Sequence, residues 1–248
     1  MSKDATDNSP QGPLVVAASP EEVLRTMDPH LLTASERRRG AVLRHPADRH
    51  SHAAAHLLVR YCAAALTGRP VGTLALVQRC ADCGSTDHGK PSLTGLPDLH
   101  VSLAHTRGAV VAGVDGYPVG VDVEDSRVHE IDPAVMTYTL TAAEVGRVQS
   151  ARDPSTAFLR LWVRKECLVK IGVVTLDGLS RIEIDPGTER DVGAGRTVGR
   201  FGSLHVADWF DEALQVVIAA AGSEPPIVGS FPVGPASAAG PGETPLPT

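Results

Sequence analysis

No stretch of this sequence is apolar for long enough to cross a membrane. The longest such run, LQVVIAAA at Leu214–Ala221, falls far short of the roughly 20 residues a spanning helix needs. The N-terminal MSKDATDNSPQGP is polar and has none of the apolar h-region of a secretory signal. A cytoplasmic protein without membrane association is therefore expected. Cysteine is sparse as well. Four cysteines in 248 residues do not build a disulfide framework, and a reducing compartment would keep them as thiols. Positive charge is not in excess either. With 23 Lys and Arg against 29 Asp and Glu, the formal charge is −6, which argues against a general nucleic-acid binder.

What is present is an ordinary globular composition, 42% hydrophobic and 21% charged, long enough for one large domain or two small ones that share a core. Residues 1–13 and the Pro-, Gly- and Ala-rich tail 222–248 are expected to be disordered. Between them the patterns predict helices over Pro20–Arg25, Thr33–Leu43 and Pro46–Leu66, then strands at Leu74–Arg79, Leu99–Ala104, Ala109–Asp115 and Val119–Glu124. Helices over Asp132–Tyr138, Thr141–Gln149 and Ser155–Ile171 follow, and strands at Leu179–Ile184, Ser203–Phe210 and Glu212–Ala220 close the run. The order predicts an α+β protein of two similar halves, 14–118 and 119–221, each a small, mostly antiparallel sheet packed on a long helix. No repeat is visible between them in sequence.

The chemistry starts at VGVDVE, Val119–Glu124. On a strand, residues i and i+2 share a face, so Asp122 and Glu124 stand side by side. At roughly 6 Å and an effective dielectric near 20, their repulsion is on the order of 2–3 kcal/mol, which a cation would relieve. LWVRKECLVK, Leu161–Lys170, then spaces Trp162, Glu166 and Lys170 at i, i+4 and i+8, one helix face. Two carboxylates on a strand and a third on a helix make a hard-oxygen set suited to Mg²⁺, which keeps waters and shares its shell with phosphate oxygens. HGKPSL, His88–Leu93, makes a turn that would hold Lys90 outward, and VSLAHTRG puts His105 at a strand end before a Gly turn. Arg37, Arg38, Arg39, Arg44, Arg49 and Arg60 cluster with His45, His50, His52 and His56, enough to hold a polyanion smaller than DNA or to form a solvated helix face. Cys80 and Cys83 form a lone CxxC, and with His52 and His56, at i and i+4, they make a conceivable Cys₂His₂ zinc set. A turn beside a basic helix is the simpler reading.

In combination, GKP, a strand–His–turn, GVDVE and W-x-x-K-E-x-x-x-K, in this order, resemble the Sfp-type 4′-phosphopantetheinyl transferases over about residues 35–220. The resemblance implies that family's fold, two α/β halves related by a pseudo-twofold. It implies Mg²⁺, or Mn²⁺ in its place, on Asp122, Glu124 and Glu166, and coenzyme A against Lys90, His105, Lys165 and Lys170. The 3′-phosphate would lie near Arg37, Arg39, Arg44, Arg49 and His50. Transfer of phosphopantetheine to a serine of an apo acyl or peptidyl carrier protein is the implied reaction, with Glu166 as base, Lys170 on the phosphate and Asp122 on the metal. A monomeric enzyme serving fatty-acid, polyketide or nonribosomal-peptide synthesis is expected, its carrier choice residing in Val128–Val148. Where the family often has Ser before the motif histidine, this chain has Ala104, with Ser102 two residues earlier; Cys167 follows Glu166 where a small residue is usual. Two rival readings are a Mg²⁺-dependent phosphohydrolase acting on a nucleotide pyrophosphate and a non-catalytic zinc module.

Overall fold

A computed structural model of the chain describes residues 12–80, 83–86, 88–127, 131–191 and 195–232. The fold is α+β. Strand β1 (Leu14–Ala18) leads into helices α1 (Pro20–Thr26), α2 (Ala34–Ala41) and the long α3 (Pro46–Thr67), then β2 (Leu76–Arg79), β3 (Lys90–Leu93), β4 (Leu96–Thr106), β5 (Ala109–Asp115) and β6 (Gly120–Asp125). Helices α4 (Pro133–Thr139), α5 (Ala142–Ser150) and the long α6 (Pro154–Ile171) follow, and then β7 (Asp185–Asp191), β8 (Thr197–Phe201), β9 (Leu204–Asp211), β10 (Val216–Gly222) and β11 (Ile227–Gly229).

Two sheets result, ordered β11-β1-β5-β4-β3-β2 and β6-β10-β9-β8-β7. Helix α3 packs on the outer face of the first through Leu57, Leu58 and Cys62, against Val110, Ala112 and Val114. Helix α6 packs on the outer face of the second through Val163, Cys167 and Leu168, against Val217, Ala219 and Ala221. The inner faces meet in a core of Val111, Val121, Val123, Ile218 and Ala220. Strands β5 and β10 are covered on both sides, so every residue of AVVAGVD and VVIAAAG is buried, which is why they read as continuous apolar runs. Both long helices begin with Pro at the first turn and stop at a left-handed glycine, Gly68 (φ 69°) and Gly172 (φ 93°), the asymmetry expected of helix ends.

The two sheet-and-helix layers share a buried device. Thr33 and Glu36 form a capping box at the start of α2, and Thr141 and Glu144 form one at the start of α5. Each glutamate then turns its carboxylate inward onto a cation of the long helix. Glu36 accepts from Arg60 Nη1 at 2.8 Å and Nη2 at 2.7 Å and lies 2.8 Å from His56 Nδ1. Glu144 accepts from Lys165 Nζ at 2.5 Å.

Some sequence expectations are corrected. Leu179–Ile184 is not a strand; its first residues belong to a 3-10 turn, Leu176–Arg181, because the carbonyls of Leu179 and Ile182 bend inward to the Lys165 ammonium. Strands β1, β3, β7, β8 and β11 lie outside the strands that the sequence pattern predicts. The tail is not irregular from Gly222 onward: β11 pairs in parallel with β1, Leu14 against Ile227, and Phe231 packs edge-on to Tyr61. Most of the Val128–Val148 stretch is helical, in α4 and α5, while residues 128–130, 1–11 and 233–248 lie outside the described residues.

Candidate active site

Strand β6 and helix α6 form the site between them. Alternation along β6 sends Val121 and Val123 into the inter-sheet core and Asp122 and Glu124 to the α6 side. The two elements touch closely at Gly120, where a Cβ would stand 2.1 Å from the carbonyl oxygen of Cys167. That contact seats the α6 face bearing Trp162, Glu166 and Lys170 directly on the carboxylates. Trp162, stacked on Phe158 with centroids 6.3 Å apart, donates its Nε1–H to Glu124 Oε1 at 3.0 Å. Lys170 donates to Asp122 Oδ1 at 2.6 Å and to the Val121 carbonyl at 2.8 Å. Glu166 stands one turn from each.

This arrangement leaves negative charge crowded and poorly solvated. Burial raises the pKa of Asp122 against the opposing pull of Lys170. Burial also raises Glu124, and Asp122 and Glu166 add repulsion; Glu166 is raised by burial and then by Asp122. The buried Oδ2 of Asp122 has no hydrogen-bond partner among the described residues. Such an orphaned anionic oxygen is costly unless something positive meets it. The carboxylates are not drawn into a closed cage: among the described residues, the one trio of ligand atoms lying within 4.8 Å of one another is elsewhere, at Cys80, Cys83 and His88. A loose acidic set fits Mg²⁺, which retains several waters and takes phosphate oxygens as ligands.

Across from α6, β3 brings Lys90, whose Nζ lies 3.4 Å from the Ile171 carbonyl. Lys90, Ser102, Val169 and Lys170 line a cavity of about 350 Å³, so a lysine of β3 and a lysine of α6 flank one space. Ser102, on β4, accepts from Val121 N–H at 3.0 Å and ties the two sheets beside this cavity. His105 is exposed at one edge; partial burial lowers its pKa, as do the neighbouring His56 and Lys170, while Asp48 opposes them. Asp48 in turn lines a second cavity of about 670 Å³ with His45, His50, Ser51 and Arg107, so His105 feels charges from both spaces.

Not every expected residue joins the site. Lys165 is wholly buried, its ammonium held by Glu144 and the carbonyls of Thr139, Leu179 and Ile182. The expectation that it contacts coenzyme A is corrected, because α6 turns Lys165 away from the face bearing Glu166. Arg39 reaches the Thr86 carbonyl at 2.9 Å, and Arg49 bends back to the carbonyls of Leu43 and Arg44 at 2.9 and 3.0 Å. Arg44 is exposed. His56 and His52 do not approach the CxxC cysteines; their rings lie 4.2 Å apart and both face Glu36. The sequence places Trp162 on the face of Glu166 and Lys170 but gives it no partner, and it gives Gly120 no role; in the structure Trp162 bonds Glu124 and Gly120 sets the β6–α6 distance.

Residues 118–215 match the family model of the 4′-phosphopantetheinyl transferase superfamily, a span that contains β6, α6 and all three carboxylates. A 4′-phosphopantetheinyl transferase of Bacillus subtilis is 26% identical over 139 residues, 56% of this chain and 59% of that protein. The transferase psf-1 of Bacillus pumilus is 34% identical over 86 residues, 34% of this chain and 36% of its own length. Sfp of Bacillus subtilis strain 168 is 26% identical over 84 residues, 34% of this chain and 38% of its own. Each alignment spans less than two thirds of the relative's length. The resemblance to Sfp-type 4′-phosphopantetheinyl transferases is thereby borne out at modest identity.

Proposed function

We propose that this chain is a 4′-phosphopantetheinyl transferase of the Sfp type. It would move the 4′-phosphopantetheine of coenzyme A onto a serine of an apo acyl or peptidyl carrier protein and release 3′,5′-adenosine bisphosphate. The observation that carries this reading is the acidic seam of buried Asp122 and half-buried Glu124 and Glu166, with the orphaned Oδ2 of Asp122 in it, inside the segment that matches the superfamily.

In that seam Asp122, Glu124 and Glu166 would hold Mg²⁺, or Mn²⁺ in its place. Once bound, the ion would neutralise charge on the coenzyme A diphosphate. The chain's own residues do the rest. Lys170 and Lys90, on either side of the 350 Å³ cavity, offer ammonium groups to phosphoryl oxygens, and His105 faces the same charge. The 3′-phosphate is assigned to the basic residues leading into and opening α3, Arg44, Arg49 and His50. Glu166 comes from the helix side of the seam and accepts the serine proton as the serine oxygen bonds to the β-phosphorus. The bond from that phosphorus to the bridging oxygen breaks, and the bisphosphate departs with the electron pair. Positioning and charge stabilisation supply most of such a barrier reduction. The setting assigned to the protein is that of a cytoplasmic monomer serving fatty-acid, polyketide or nonribosomal-peptide synthesis, with the carrier docking against Val128–Val148.

The test is labelling of an apo carrier protein from coenzyme A, read by mass spectrometry. Asp122→Ala is expected to melt as a folded protein and to leave the carrier unlabelled; full labelling would overturn the assignment. Coenzyme A incubated without carrier is expected to stay intact, whereas release of bisphosphate would favour the phosphohydrolase.

A further inference from the structure

The hairpin joining β2 to β3 carries CADCGSTDHG, Cys80–Gly89, and the acidic seam uses none of its thiols. One ligand atom from each of Cys80, Cys83 and His88 lies within 4.8 Å of the other two, and Cys83 Sγ is 3.3 Å from His88 Nε2. Tetrahedral zinc, with Zn–S of about 2.3 Å and Zn–N of about 2.0 Å, requires ligand separations of about 3.5–3.8 Å, which this trio already approaches.

The backbone explains how the three converge. The ladder between the strands ends at Arg79 opposite Lys90, and the loop closes through Cys80 N–H to the Ser85 carbonyl (2.9 Å) and Gly84 N–H to the Cys80 carbonyl (3.0 Å). Gly84, directly after the second cysteine, takes the left-handed conformation (φ 69°) that this tight return needs. At the far end Gly89 (φ 113°) is pressed on the Arg79–Cys80 peptide, where a Cβ would stand 2.3 Å from the Arg79 carbonyl carbon and oxygen and 2.4 Å from the Cys80 nitrogen. The returning chain therefore lays His88 beside the cysteines. Cys83 and His88 are exposed and Cys80 half-buried, so hydrophobic packing does not account for the cluster.

We propose that Cys80, Cys83 and His88 form a zinc site, the two thiolates and the imidazole binding Zn²⁺ with water or another oxygen in the fourth position. Thiolate and imidazole favour zinc over Mg²⁺, whereas the acidic seam has the opposite preference. The chain thus carries a soft metal site and a hard one. The zinc would fasten a loop that is tied on one side to α2 through Arg39 and Thr86 and continues directly into Lys90. Its consequence for coenzyme A rests on the proposed transferase reading, but the zinc content does not.

The experiment is elemental analysis of the full chain purified with its thiols reduced, paired with Co²⁺ substitution followed by absorption. About one zinc per chain is expected, with thiolate-to-cobalt charge-transfer bands on substitution. In Cys83→Ser and His88→Gln the zinc should fall below about a tenth of that, with circular dichroism unchanged. A folded, reduced wild-type chain that takes up neither zinc nor cobalt would overturn the site, and so would a Cys80–Cys83 disulfide found by mass spectrometry. Stripped of zinc, the wild type should need several-fold more coenzyme A for half-maximal carrier labelling. An unchanged requirement in zinc-free protein would overturn the positioning of Lys90 and leave the metal site standing.

Discussion

At the residue scale, the cations of α6 divide by helix face. Lys170 sits one turn beyond Glu166 and meets Asp122, whereas Lys165, adjacent to Glu166 in sequence, points to the opposite side and is wholly buried with Glu144. The spacing i, i+4, i+8 made the Trp162–Glu166–Lys170 face legible, because helical geometry is local. The fate of Lys165 was not legible, because its partners come from α5 and from the carbonyls of a distant turn. Lys165→Met tests this. It would strand the Glu144 carboxylate in the interior and is expected to destabilise the protein by about 3–5 kcal/mol in urea unfolding, while the coenzyme A dependence of whatever folded protein remains stays near wild type. A stable variant with weakened coenzyme A use would return Lys165 to the site.

At the element scale, the contact of β6 with α6 governs the acidic seam. Gly120 allows it, since a side chain there would collide with the Cys167 carbonyl, a backbone atom that moves only if the helix does. Gly120→Ala is expected to cost about 1–3 kcal/mol in thermal or urea unfolding through overpacking. Because Glu166 and Lys170 ride on the displaced helix, carrier labelling should fall more steeply than stability. Strand β6 announced itself through alternating Val and acid, and β5 matched its predicted bounds because a continuous apolar run ends in Asp-Gly. The strands that went unread have reasons of the opposite kind. β3 is short and contains Pro91, β8 contains Gly199, and β11 lies in a Pro-rich stretch whose order depends on pairing with β1 at the other end of the chain. Such non-local pairing leaves no mark on the local pattern.

At the scale of the whole molecule, the buried charges set the response to acid. The hydrogen bonds of Glu36 to His56 and Arg60 outweigh the upward push of its burial and hold its carboxyl well below the usual carboxylate range. Its contribution is present above its ordinary pKa and lost as pH falls below it. Burial, with His56 nearby, lowers His52 from 6.5 to about 4. The unfolded chain therefore binds that proton first, and stability present above pH 6.5 erodes as pH falls toward 4. Burial raises Asp122, Glu124 and Glu166, and these act in the opposite direction, folding being favoured as they take up protons. A differential measurement isolates His52: over that interval the melting temperature of His52→Gln should fall less than that of the wild type. Parallel curves would contradict the assignment.

In the proposed transferase the site and the fold meet in one carboxylate, Glu166, whose assigned role is chemical and not structural. Glu166→Gln keeps the shape of the side chain and removes both its charge and its capacity to take a proton. The most direct measurement is mass-spectrometric labelling of an apo carrier protein from coenzyme A and Mg²⁺ by this variant beside the wild type, with thermal melting of both. The expected result is a melting temperature at or above that of the wild type, because repulsion with Asp122 and Glu124 is relieved, and a labelling rate lower by about 10²–10⁴-fold. Labelling at the wild-type rate would contradict the account.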